Sequence, residues 1–197
     1  MLVNLDAVLK PAKAGHYAVG LFNTTDTDML EAAITAAEEA KSPIIIGTAE
    51  VLLPYGPLPL IAPALVAAAK RASVPVVVHY DHGLTFEKTM EALKLGFSSV
   101  MYDASAKDYE SNIAETAEVT KIAHAFGATI EGEIGHVGLA ADGDDTNGLY
   151  TSVADAVDFW SKTGVDALAV AVGNAHGVYK SKPDIQLQRI AELNAAV

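Results

Sequence analysis

The feature that most constrains this chain is an alternation. Six short apolar runs, YAVGLF (17–22), PIIIG (43–47), VPVVV (74–78), SSVMY (98–102), ATIEGEI (128–134) and ALAVAV (167–172), are separated by longer stretches with helical spacing at 25–41, 59–72, 85–96, 108–127 and 152–164. Asp26 or Thr25 can cap the first helix, and Gly96, Gly127 and Gly164 stop the last three. Strand and helix in strict alternation imply a parallel sheet covered by helices, and runs that are apolar at successive positions imply burial on both faces.

Two architectures satisfy that rhythm, a doubly wound open sheet and a (β/α)8 TIM barrel. The residues that follow each run separate them: Asn23, Thr48, Asp81 with His82, Asp103, Glu133, and Asn174 with His176. An open sheet gathers its ligand groups at one switch point, whereas a barrel turns every strand end toward one mouth. Polar groups after all six runs favour the barrel. The chain, 197 residues in all, holds only about six βα units and ends in a helical stretch at 184–197. A complete barrel usually takes about 250 residues. The expectation is therefore one α/β domain over 1–197, a barrel that is C-terminally incomplete.

Composition excludes several roles. A net charge of −12 disfavours a nucleic-acid surface and gives no attraction to an anionic membrane. There is no cysteine, hence no disulfide and no thiolate metal site, which fits a reducing cytoplasm. No run approaches the roughly 18 apolar residues of a membrane span, and the N-terminal stretch lacks the pattern of a signal peptide.

The chemistry concentrates where apolar runs stop. In VPVVVHYDHG (74–83), a Val-rich run leads straight into His79, Asp81 and His82. A neutral imidazole is a common ligand for zinc-like ions, and a neighbouring carboxylate can exchange a proton with a substrate hydroxyl; the alternative is histidines that hydrogen-bond backbone at a strand end. GNAHGVYK (173–180) places His176 between glycines after another run, which reads as a second metal ligand or as a capping turn. Glu131 and Glu133 share one strand face and, with Asp103, need a cation or a salt bridge nearby. His16 and His124 read as surface or packing residues. The Gly- and Asp-rich segment 135–151 is long for a connection, and its position after Glu131 and Glu133 favours a functional loop.

These stretches together, with YAVGLFN, GFSSVMYDAS, IEGEIGHVG and TGVDALAVAVGNAHGVYK, resemble in order and spacing the class II, zinc-dependent fructose-1,6-bisphosphate and tagatose-1,6-bisphosphate aldolases along essentially the whole chain. The resemblance implies a (β/α)8 barrel and reversible retro-aldol cleavage of a ketose 1,6-bisphosphate to dihydroxyacetone phosphate and glyceraldehyde 3-phosphate. It implies His82 and His176 as ligands of a catalytic Zn2+, or another divalent metal, with a monovalent cation also conceivable. Asp81 would exchange the C4 hydroxyl proton, and Asp103 and Glu133 would hold a second metal in some members. Gly177 would contact phosphate through its backbone, and Asn23 and Thr48 would touch substrate. His79 would support the site from behind. The apolar runs end without a buried lysine, which accords with a metal rather than a Schiff base. A homodimer or homotetramer, a phosphorylated ketose substrate and a cytoplasmic role in carbohydrate metabolism (glycolysis) follow from the same resemblance.

Two departures stand out. The family's third ligating histidine and its phosphate-binding loops lie after the seventh and eighth strands, beyond Val197; His136 is a weak substitute. Ala141 occupies the place of a glutamate that helps return the proton, leaving Asp142, Asp144 or Asp145 as replacements. The alternative function is a non-catalytic sugar-phosphate-binding or partner subunit of such an aldolase, and a third is cleavage of another phosphoketose, such as a phosphoketo acid.

Overall fold

The computed structural model describes residues 1–135, 137, 150–180 and 182–197. Seven strands form one parallel sheet: β1 (Leu2–Val3), β2 (Leu21–Asn23), β3 (Ile44–Ala49), β4 (Val76–Gly83), β5 (Ser99–Tyr102), β6 (Thr129–Ile134) and β7 (Ala167–Val170). Strands β2 to β7 lie side by side in chain order, and β1 pairs with the start of β4, Leu2 opposite Val76. The helices are α1 (Asp6–Gly15), α2 (Thr27–Ala40), α3 (Leu58–Arg71), α4 (Phe86–Lys94), α5 (Tyr109–Ala125), α6 (Val153–Thr163) and α7 (Leu187–Ala196). Sequential order without a switch point is the winding of a barrel, as expected. Asp26 caps α2 through the amides of Asp28 and Met29, and Gly164 ends α6 in the left-handed conformation.

Two expectations need correction. The first run forms a strand only over Leu21–Asn23, and the last only over Ala167–Val170. The first sixteen residues, to which no element was assigned, contain β1 and α1. Strand β4, as expected for His79 and Asp81, carries its polar residues within the strand and runs through His79, Tyr80, Asp81 and His82 to Gly83.

Alternation along the strands sorts the core into two layers. Ile44, Ile46, Val76, Val78, Tyr80, Val100, Tyr102, Ile130 and Ile134 face outward into a cluster with α2–α6. Ile45 and Val77 face inward and meet Leu5 and Val8 at the start of the chain, with Ala167 of β7 packed against them. A flat sheet would hold β3 and β7 about 19 Å apart at ordinary strand spacing. Their packing around one plug means that the sheet curls. The Leu5 amide donates to Thr129 Oγ1 at 3.1 Å, tying the plug to β6 as well. Full burial of a Leu or Val side chain contributes roughly 1.5–3 kcal/mol, so this short segment closes the floor of the half-barrel at a profit in stability.

Candidate functional site

The carboxyl ends of the strands converge on a polar mouth, and its geometry starts from an irregularity in β4. His79 lies opposite Ser99 and Tyr80 opposite Val100, but the next pair is Gly83 with Tyr102. Asp81 and His82 thus stand against the single residue Met101, which makes a β-bulge. His82 takes up the extra residue with a left-handed φ of 43°, an uncommon state for a non-glycine side chain. Gly83 follows because a Cβ there would lie 2.5 Å from the Met101 carbonyl oxygen. The bulge lets two consecutive residues serve one mouth, which a regular strand forbids.

Each of the two is held by a residue from the end of another strand. Asn23 at the end of β2 donates Nδ2–H to Asp81 Oδ2 at 2.7 Å. His82 Nδ1 lies 2.8 Å from Asp103 Oδ2, just after β5. That hydrogen bond raises His82 to about 9 against burial, with the charges of Asp81 and Glu133 adding to it. Burial would raise Asp103, but the hydrogen bonds from His82 and Ser105 outweigh it and hold the carboxyl at about 2. Ser105 donates its amide to Asp103 Oδ1 at 3.0 Å, and its hydroxyl lies 2.7 Å from that oxygen and 3.1 Å from Glu133 Oε1. Glu133 is buried on β6; burial and the Asp103 charge push its carboxyl up, while the Val137 amide, 3.0 Å from Oε1, partly offsets this. Asn112 on α5 donates to the Glu133 carbonyl at 2.9 Å and pins the end of that strand.

One ring nitrogen of His82 and one oxygen each of Asp103 and Glu133 lie within 4.8 Å of one another. The His176 ring, on the segment after β7, stands 4.9 Å from the His82 ring at 79°. Imidazole nitrogens and carboxylates in a partly buried cluster are a donor set that fits a divalent transition ion. With Nδ1 of His82 turned to Asp103, Nε2 is the nitrogen available to such an ion, the usual carboxylate–histidine–metal order. Gly177, next to His176, has φ 87° and open space at its missing Cβ, so its backbone is accessible.

Below the mouth lies a second polar layer. His79 is fully buried, with Nδ1 2.8 Å from Ser99 Oγ and Nε2 3.5 Å from Glu131 Oε2. Nε2 makes no hydrogen bond. Burial drives His79 down to about 4 despite the charge of Asp81, and burial together with Asp81 pushes Glu131 up to about 7.

The structure therefore brings together Asn23, Asp81, His82, Asp103, Glu133 and His176. Thr48 is elsewhere. It is paired in register with Tyr80 on the outward face of β3, it is fully buried, and its hydroxyl has no hydrogen-bond partner. His136, Ala141, Asp142, Asp144 and Asp145 lie outside the described residues. Ser105 and Asn112 were not anticipated; a serine two residues after an aspartate is the signal for the Asp103–Ser105 turn.

A profile of the fructose-bisphosphate aldolase class-II family matches residues 3–197. The chain is 42% identical over 202 residues to a fructose-bisphosphate aldolase of Thermus caldophilus, covering 98% of this chain and 65% of that protein. It is 37% identical to a fructose-bisphosphate aldolase of Geobacillus stearothermophilus, covering 98% and 69%. The crystal structure of the YdjI aldolase from Escherichia coli K12 superposes with a TM-score of 0.90 at 36% identity, over all of this chain and 70% of that one. The chain thus spans about two thirds of the length of these relatives. No helix among the described residues is long and apolar enough to cross a membrane.

Proposed function

We propose, from the premise that this chain belongs to the class II fructose-bisphosphate aldolase family, that it carries the metal-holding and proton-transferring part of a lyase acting on a ketose 1,6-bisphosphate. The substrate is fructose or tagatose 1,6-bisphosphate, and the products are dihydroxyacetone phosphate and glyceraldehyde 3-phosphate. The observation that carries this reading is the meeting of Asp81 with the His82–Asp103–Glu133 cluster in one mouth.

Zinc is the proposed ion, with His82 and His176 as its ligands and Asp103 and Glu133 available to a second; when bound it supplies the electrophile that draws electron density from the substrate carbonyl. Asp81 is the proton acceptor. Its Oδ2 is occupied by Asn23, and its Oδ1 has no hydrogen bond among the described residues, so Oδ1 is the oxygen that meets the C4 hydroxyl. As the C3–C4 bond breaks, its electron pair passes to the ketone fragment and the C4 hydroxyl proton passes to Asp81. Asp103 keeps His82 in one tautomer and orientation. The Gly177 backbone is offered to a phosphate of the ketone fragment. In this reading the protein works in the cytoplasm, in glycolytic carbohydrate metabolism, as a homodimer or homotetramer.

The test is a coupled assay for dihydroxyacetone phosphate with both ketose bisphosphates, before and after chelation. Cleavage should vanish with chelator and return with zinc. Cleavage that persists in chelator, or no cleavage of either sugar by zinc-loaded protein with the full barrel in hand, overturns the reading.

A further inference from the structure

Among the described residues the inner face carries four carboxylates, and three of them are held by hydrogen bonds: Asp81 by Asn23, Asp103 by His82 and Ser105, and Glu133 by Ser105 and Val137. Glu131 differs. It stands two residues before Glu133 on the same face, a quarter of its side chain reaches the surface, and its neighbours in register on β7 are small, Ala167 beside Glu131 and Ala169 beside Glu133. Nothing steric on that side keeps it from a cation in the mouth. Yet the cluster within 4.8 Å contains His82, Asp103 and Glu133 and omits Glu131. The Glu131 carboxylate is turned across the lumen instead, to 3.5 Å from His79 Nε2.

His79 is built to receive it. The ring is fully buried, and Nε2 has no other partner. On the opposite edge, Nδ1 lies 2.8 Å from the Ser99 hydroxyl. If that hydroxyl donates to Nδ1, the proton of a neutral imidazole is on Nε2, whose nearest carboxylate oxygen is Glu131 Oε2 at 3.5 Å, short of a formed hydrogen bond. If Nδ1 carries the proton instead, a lone pair faces a carboxylate and the Ser99 hydrogen loses its acceptor. The first arrangement matches each donor with an acceptor, and closing 3.5 Å to a normal hydrogen bond takes a small side-chain adjustment.

We propose that His79, oriented by Ser99, is a positioning residue that holds Glu131 out of the metal's ligand set. This rests on the reading of the mouth as a divalent-metal site. A lumen with too many oxygen ligands would draw the ion down toward Glu131 and away from Asp81, where the proton is moved. The buried histidine reserves one carboxylate for the floor, so the ion stays at the rim.

The test is Zn2+ affinity by competition with a chelating dye, together with the visible absorption of the Co2+-loaded protein. Glu131→Gln should change Zn2+ affinity less than about threefold, far from the 10–100-fold losses that follow removal of a residue supporting a ligand. His79→Asn keeps a polar group for Ser99 but is too short to reach Glu131. It should tighten binding or alter the Co2+ spectrum, and His79→Asn combined with Glu131→Gln should return both to wild type. A loss of tenfold or more in Glu131→Gln would make Glu131 a ligand and overturn the proposal. So would a folded His79→Asn whose affinity and spectrum match wild type. If His79→Asn does not fold, Glu131→Gln alone decides. Wild-type protein that takes up neither ion overturns the metal reading itself, a failure distinct from the other two.

Discussion

The lumen of this half-barrel has two halves made to opposite rules. At the amino ends of the strands, Ile45 and Val77 close on Leu5 and Val8. Toward the carboxyl ends of the strands the lining becomes His79, Asp81, His82, Asp103, Glu131 and Glu133, which crowd like charges together, and two polar atoms there, His79 Nε2 and Asn23 Oδ1, are buried without hydrogen bonds. One half stabilises the fold. The other costs stability and keeps groups poised for chemistry.

If that division is right, substitutions in the two halves should fail in different ways. The largest effect belongs to the floor. Val77→Asp buries a charge in the plug and should cost at least about 4 kcal/mol, read as loss of the urea transition, whatever the metal. Asp81→Asn should instead leave the urea midpoint close to wild type and lower kcat about 100- to 10,000-fold with little change in KM. A parallel loss of stability would erase the contrast. Asp103→Ala, which removes the orienting partner of His82, should weaken Zn2+ binding about 10- to 100-fold, measured by dye competition.

A pH experiment sharpens the comparison within the polar half. His79 is lowered from 6.5 to about 4, so between those values the unfolded chain binds a proton that the folded one does not, and stability falls as pH falls. Glu131 is raised from 4.5 to about 7, so the folded chain binds the extra proton and stability rises as pH falls through that window. The two oppose each other in the metal-free protein. Glu131→Gln removes the second, and its stability should drop relative to wild type by about 2 kcal/mol between pH 7 and 4.5, followed by urea melts. The smallest effect is at Thr48: replacing it with Val removes a buried hydroxyl that has no partner, and should shift stability by less than about 1 kcal/mol and leave cleavage unchanged.

Thr48 also marks a limit of reading sequence. IIIGTA is buried at every position, so it lacks the alternation that tells an inward residue from an outward one. Glu131 and Glu133 were assignable to one face because polar residues alternate with Ile130, Gly132 and Ile134. The strand order was legible from the βα rhythm and the convergence of the polar ends from the residues that follow each run, but the pairing of His82 with Asp103 was not, because residues 21 apart in sequence carry no local signal of contact. The plug was not, since β1 is two residues long and α1 contains Pro11, each below the length or regularity that periodicity needs. Nor does any residue type announce that His82 adopts a left-handed backbone.

That irregularity gives the strand an unusual kind of editability. Below Tyr80 the pairing of β4 is regular, and beyond Gly83 its neighbour resumes at Tyr102. Losing one residue between those two points would restore an ordinary ladder and leave the outward core in register. It would also remove either the proton acceptor or the imidazole, leaving one inward position where two residues now serve the mouth. A single-codon deletion could thus silence the chemistry while sparing the scaffold, and a single-codon insertion in a plain strand could begin to create it.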